Sequence, residues 1–203
     1  MQKLVAKDFA SLELGTPIWE HIFTVAPLVI IGTKEGDGYD LAPKHMATPM
    51  GFGNYFGFVC TPDHGTYHNV LKHKFFTVSF PTPDQIITTS LSASHRSDQI
   101  SKSLGIIQAL PIARASSMDA PVIKDAYLYF ECGLFKVIDG FGENSLITGV
   151  IKKAWVHKDY LRVSEVDEAE QLRRNPLLAY ISQGRFARIS DTYNFPFPKD
   201  FKR

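Results

Sequence analysis

The stretch PLVIIGTKEGDGYDLAPKHMATPMG, residues 27–51, decides how this chain is read. Leu28 to Thr33 is short, apolar and β-branched, the composition of a buried strand. Glu35-Gly36-Asp37-Gly38 follows; glycines there accept positive φ, so the stretch predicts a hairpin turning into Tyr39 to Ala42. Next comes Ala42-Pro43-Lys44-His45-Met46-Ala47-Thr48-Pro49, a polar segment stiffened by two prolines. It offers main-chain groups to a flat ring system. An ordinary loop or bulged strand with a solvated Lys44 fits the same residues.

Working outward, Tyr55 to Cys60 and Phe75 to Phe80 carry the aromatic and β-branched content of buried strands. Tyr127 to Cys132 alternates, with Leu128, Phe130 and Cys132 on one face. Leu134 to Ile138 continues after Gly133, which is read as a bulge, and Ser145 to Val156 is a long strand broken at Gly149. Helices are predicted over Asp63 to Lys74, with Val70 and Leu71 as the apolar stripe, and over Pro83 to Leu91, Asp98 to Leu104 and Glu165 to Arg174. This order lacks the βαβα alternation of a doubly wound sheet. It points to a mainly β fold with peripheral helices, an antiparallel barrel.

The bulk properties bound the rest. The chain has 203 residues, 44% hydrophobic and 21% charged, which excludes whole-chain disorder and suits one domain without disulfide staples. No repeat or Gly/Ser-rich linker divides it. Lys and Arg total 22 against 21 Asp and Glu, a net charge of +1, which gives no field for nucleic acid or an anionic membrane. Cys60 and Cys132 each lie in an apolar run, the usage of a reducing compartment. No apolar run approaches the roughly 18 residues that span a bilayer, and the first residues lack a signal peptide's apolar stretch, so the expected location is cytoplasmic.

Several chemistries fail on spacing. Gly51-Phe52-Gly53 lacks a third glycine and leads into a strand, whereas a dinucleotide loop opens a helix. No Gly-x-Ser-x-Gly elbow occurs. Cys60, His64, His68 and His73 lack an acidic or cysteine ligand at a suitable spacing, so no metal is assigned. Asp37 and Asp40 suit turn chemistry and are assigned no catalysis. The segment Cys60 to Val70 is richer. A strand ends and a helix begins, so first-turn N–H groups and the positive end of a macrodipole meet Gly65, the Thr66 hydroxyl and His64. These are the parts of a phosphate site. Plain helix capping uses the same residues and stays open as the alternative.

Four pieces, in order, carry a resemblance. They are residues 27–51; TPDHGTYHNVLKHKFFTVSFP from Thr61; KSLGIIQALPIARASSMDAPVIKDAYLYFEC from Lys102; and LAYISQGRFARIS from Leu178, a Tyr-x-x-x-Gly-Arg segment. Together they resemble the flavin reductase-like family of FMN-binding split barrels, to which flavoredoxin-like proteins belong. The resemblance implies one domain over residues 1–203, with a core of about 27–188 and terminal extensions, folded as an antiparallel Greek-key split β-barrel. It also implies a homodimer with FMN near the interface.

Carried over by position, Lys44, His45, Met46, Ala47 and Thr48 would lie along the isoalloxazine and ribityl chain. Cys60 and Thr61 would flank the flavin, His64 and Thr66 would hold its phosphate, and Arg185 is a further candidate for phosphate or an acidic substrate. The implied activity is reduction of flavin or another small acceptor by NADH or NADPH. The alternative is an FMN-binding electron carrier or flavin store without nicotinamide turnover. One departure bears on that choice. Many family members carry Gly-Asp-His where this chain has Gly142-Glu143-Asn144, so Asn144 occupies the catalytic position without a group that becomes cationic near neutral pH. His157 is read as structural. The tail from Tyr193 to Pro198 is apolar and is expected to pack on a partner or near the flavin.

Overall fold

The computed structural model describes residues 8–94, 106–163, 165–182 and 184–199. Its strands are β1 (Val25–Pro27), β2 (Val29–Glu35), β3 (Gly38–Lys44), β4 (Ala47–Pro49), β5 (Tyr55–Cys60), β6 (Phe75–Phe80), β7 (Ile112–Arg114), β8 (Pro121–Ile123), β9 (Leu128–Phe141), β10 (Asn144–Val156), β11 (Leu177–Ile181) and β12 (Arg185–Ile189). The described helices are α1 (Gly65–His73), α2 (Ile86–Leu91) and α3 (Glu168–Arg174). The predicted helix over Asp98 to Leu104 lies outside the described residues.

Seven strands form one curled antiparallel sheet in the order β3-β2-β6-β9-β10-β5-β4. A three-stranded sheet, β1-β11-β12, and the hairpin β7-β8 complete the strand set. The fold is thus mainly β with peripheral helices, the Greek-key split barrel expected from sequence.

The β2–β3 hairpin forms where predicted: Glu35 pairs with Gly38 across Gly36-Asp37, and Gly36 has φ of +53°, a region glycine enters freely. Strand β2 is buried on both faces, which is why it reads as a continuous apolar run instead of an alternation. Val29 and Ile31 enter a core with Phe56, Phe58, Phe76 and Ile147, while Ile30 faces a second cluster with Leu41, Ile107 and Ile123. The segment after residue 105 therefore lids the sheet.

Two glycine readings are corrected by the ladder. Gly133 is not the bulge: it pairs with both Val150 and Phe75. The register shifts fall on either side of it, between Thr148 and Gly149 and between Ile151 and Lys153. Nor does Gly149 break β10. It pairs with Phe56 and Leu134, and a Cβ there would sit 2.6 Å from the Phe76 ring. Glycine admits that ring to the core.

The helices start later than predicted. Helix α3 opens at Glu168 because the Asp167 carboxylate accepts the Glu170 N–H at 2.9 Å, a side-chain cap. Helix α1 opens at Gly65 and ends on Lys74, whose φ is +63°. Its buried face is Thr66, Asn69 and Val70, at i, i+3 and i+4, and not a Val70–Leu71 stripe. A half-polar face packs because each polar group has a partner. Thr66 Oγ1 donates to Asp40 on β3 at 3.0 Å, and Asn69 Nδ2 to Thr33 on β2 at 3.1 Å. These two bonds fix the start of α1 against the end of the β2–β3 hairpin. Among the described residues no helix is long and apolar enough to cross a membrane.

Candidate functional site

The junction of β3, the β5–α1 turn and the end of α2 encloses a cleft of about 440 Å³, within the usual range for small-molecule sites. Strand β3 contributes Asp40 and Lys44. The opening of α1 contributes His64, Gly65 and Thr66. Ser94, after α2, closes the third side.

His64 is the N-cap of α1 in extended geometry, and no side chain caps the helix there. Of the first-turn N–H groups, that of Tyr67 donates to the His64 carbonyl at 3.0 Å, whereas Gly65 and Thr66 have no capping side chain and line the cleft. The side-chain cap is therefore not made at His64, and a helix start left in this state can accept an anion. The Thr66 hydroxyl donates to Asp40, so what Thr66 offers the cleft is its main-chain N–H.

The charges are mixed. The Lys44 ammonium and the positive end of α1 face Asp40, a carboxylate 2% exposed, and the exposed Asp63. The Lys44 Nζ lies 3.6 Å from the Cys60 sulfur. Burial pushes the Cys60 thiol up, against the pull of Lys44, so the sulfur behind the cleft stays protonated. His45 is half-buried, and burial followed by the Lys44 charge pushes its imidazole below the ordinary value. It is neutral near pH 7. Its ring stacks on Tyr180 of β11, with centroids 4.4 Å apart and planes 24° apart.

The structure brings Lys44, His64 and Thr66, from two separate stretches, into one cleft. Cys60 lies against Lys44. Thr61 Oγ1 donates to Asn144 Oδ1 at 3.2 Å, and Tyr67 to Asp139 at 3.4 Å, so the β9–β10 tip is tied to the strand-to-helix junction. Ala47 is buried in the core, Met46 is exposed, and the Thr48 hydroxyl turns to the carbonyl of Pro49. Arg185 is the exception: it is exposed at the start of β12, on the other sheet, away from the cleft wall. His157, expected to be structural within the strand, instead lies just past the end of β10, where it accepts the Asp159 N–H at 3.3 Å as a local cap. Among the described residues no three His, Cys, Asp or Glu side chains gather around a common metal position.

Sequence reasoning missed three contributors. Asp40 was read as turn chemistry because it follows Asp37 in a hairpin, yet it forms a cleft wall. Ser94 carries no local signal. Tyr180 sits in the Tyr-x-x-x-Gly-Arg segment, but nothing in that spacing names His45 as its partner.

A sequence model described as the flavin reductase like domain matches residues 23–188, most of the chain. No curated protein sequence matches it. Solved structures do. The FMN-binding protein of Thermus thermophilus, with bound p-hydroxybenzaldehyde, superposes with a TM-score of 0.74 at 19% identity over 93% of this chain and 100% of that one. The flavoredoxin of Methanosarcina acetivorans gives 0.71 at 17% identity, covering 92% and 94%. The 2-nitrobenzoate 2-nitroreductase of Pseudomonas fluorescens gives 0.71 at 18%, covering 88% and 87%. At these identities the structures are similar to this one in fold.

Proposed function

The chain belongs to the flavin reductase-like family, and on that premise we propose that its cleft binds FMN for the reduction of flavin or another small acceptor by NADH or NADPH. One observation carries the reading. Lys44, His64 and the uncapped start of α1, remote from one another in sequence, line a single cleft of a size suited to a small ligand.

The donor set fits the cofactor. A 5′-phosphate needs convergent N–H groups and a cation; the first turn of α1, with His64, would supply the former and Lys44, which lines the same cleft, the latter. Lys44, at the end of β3, carries the cleft toward the bend at His45, so residues 45–48 would run along the ring and ribityl chain. Cys60 and Thr61 would flank it. FMN, when bound, would supply the redox chemistry. The protein's tasks are to hold the ring, exclude water beside it and orient a donor. Asn144 performs the last of these through the Thr61 hydroxyl, which fixes its amide at the edge of β10. No acid–base pair is required.

A second reading, an FMN carrier without nicotinamide turnover, is favoured by the same residue. Asn144 has no titratable group, and its carbonyl is engaged by Thr61.

The working unit is proposed to be a homodimer. Supporting it, Phe135 and Phe141 on β9, Trp155 on β10 and Phe195 in the tail are exposed large apolar side chains of the kind enriched at interfaces. Light scattering is expected to give twice the chain mass; a monomer at micromolar concentration contradicts the dimer.

The test of function is anaerobic. Purified protein is expected to carry or take up one FMN per chain, and NADH or NADPH is expected to bleach the flavin band. Uptake without bleaching by either nicotinamide selects the carrier. Failure to take up FMN overturns both readings.

A further inference from the structure

His45 and Met46 form a two-residue bend between β3 and β4, outside the ladder. From beneath, the bend is held by one main-chain bond, from the Val59 N–H to the Met46 carbonyl at 2.8 Å. From the side it is held by the second sheet, through the His45–Tyr180 stack.

Tyr180 is a firm support. It is the penultimate residue of β11, paired with Ala26 on one side and Phe186 on the other. Its phenol oxygen accepts the N–H of Gly184, at 3.1 Å, across a turn that glycine closes with φ of +79°. The turn is fastened in its own right. The Ser182 N–H donates to the Thr24 carbonyl at 3.2 Å, and the Ser182 hydroxyl to the Ile22 carbonyl at 2.8 Å. The Thr24 N–H returns to the Ser182 oxygen at 3.1 Å. These bonds anchor the end of β11 to the segment before β1, and its point of contact with the bend is the stacked ring pair.

Resting on the reading of residues 44–48 as the flavin-contacting turn, we propose that Tyr180 is a positioning residue for that turn. Its ring fixes the His45 side chain, and through it the main chain that follows, before the ligand arrives. Ordering the bend in advance removes a conformational cost from binding. An aromatic contact of this geometry adds to simple area burial, so its loss is visible in affinity. The same contact explains why the segment from Tyr180 to Gly184 needs both its tyrosine and its glycine: one makes the stack, the other closes the turn that holds the stacking ring.

The experiment compares Tyr180→Phe, Tyr180→Ala and Tyr180→Leu with the parent chain. Three quantities are read: the urea midpoint, the FMN dissociation constant by fluorescence quenching, and the proton shift of the His45 imidazole by NMR. Ring-current displacement of the His45 resonance is expected in the parent and in Tyr180→Phe, and is expected to vanish in the other two. The FMN constant is expected to rise roughly three- to tenfold in Tyr180→Ala and Tyr180→Leu. In Tyr180→Phe it is expected to stay near the parent value. In a His45→Ala background, Tyr180→Ala is expected to cost no further affinity.

A lowered urea midpoint with an unchanged FMN constant overturns the proposal and leaves Tyr180 structural. So does an equal loss of affinity with and without the His45 ring. A parent chain that shows the displaced His45 resonance yet takes up no FMN defeats the flavin reading itself, and this proposal with it.

Discussion

Among the described residues two carboxylates lie deep, Asp40 at 2% exposure and Glu131 at 0%, and they have opposite surroundings. Glu131, on β9, is enclosed by donors of its own chain. The amide and hydroxyl of Ser116 reach one oxygen at 3.1 and 2.7 Å, joined there by the Trp155 indole N–H at 3.2 Å. The other oxygen accepts the Ser117 amide at 2.8 Å and the Ser117 hydroxyl. Burial alone would raise this carboxyl, and the serine hydroxyls and amides outweigh it, holding it down at about 2. Asp40 accepts from Thr66 and forms a wall of the open cleft. Burial of a charge therefore does not mark a functional site. Glu131 closes a loop over β9 and belongs to the fold. Asp40 stands where a ligand's phosphate is proposed to sit, and belongs to the site.

That contrast breaks if the two residues respond alike. The largest effect is expected at Glu131. Glu131→Ala removes the buried charged acceptor that ties Ser116, Ser117 and Trp155 to β9 and is expected to lower unfolding stability by about 3 kcal/mol in urea titrations. The FMN constant of the folded fraction is expected to be unchanged.

The second expectation concerns acid. The folded pKa of Glu131 lies below the ordinary glutamate value of 4.5, so its contribution is full above that value and disappears as pH falls toward 2. Stability is expected to drop by about 2 kcal/mol through that window, beyond the drop seen in Glu131→Gln.

Third, Lys44→Ala is expected to weaken FMN binding about tenfold, on the order of 1.5 kcal/mol, with little change in the urea midpoint. The smallest effect sharpens the comparison most. Asp40→Asn removes a negative charge from the cleft and is expected to tighten FMN binding, by roughly threefold, on the scale of a partly screened charge pair. Weaker binding in Asp40→Asn would make Asp40 a structural carboxylate like Glu131.

What was legible in the sequence follows from segment length. β2, β5, β6 and the β9–β10 pair carry enough β-branched and aromatic residues to be read directly. β1, β4, β7 and β8 have three residues each, too few for any periodicity, and exist because distant strands pair with them. The stretch from Ile112 to Ile123, for which the sequence predicts no strand, holds a hairpin, pinned by Glu131 through Ser116 and Ser117. At the cleft, Lys44, His64 and Thr66 were readable because each stands at a strand end or helix start, where unpaired backbone groups collect. Asp40 and Ser94 enter only through tertiary folding. Arg185 carried the signal of a phosphate-binding residue, but its strand runs in the sheet that does not border the cleft.

The central claim is that the start of α1 and Lys44 form a phosphate cradle for FMN. The most direct test is a paired titration of the protein with FMN and with riboflavin, which differ only in that phosphate. FMN is expected to bind one per chain and at least tenfold more tightly, about 1.4 kcal/mol, with the preference reduced in Lys44→Ala. Equal affinity for the two flavins, or a preference untouched by Lys44→Ala, contradicts the account.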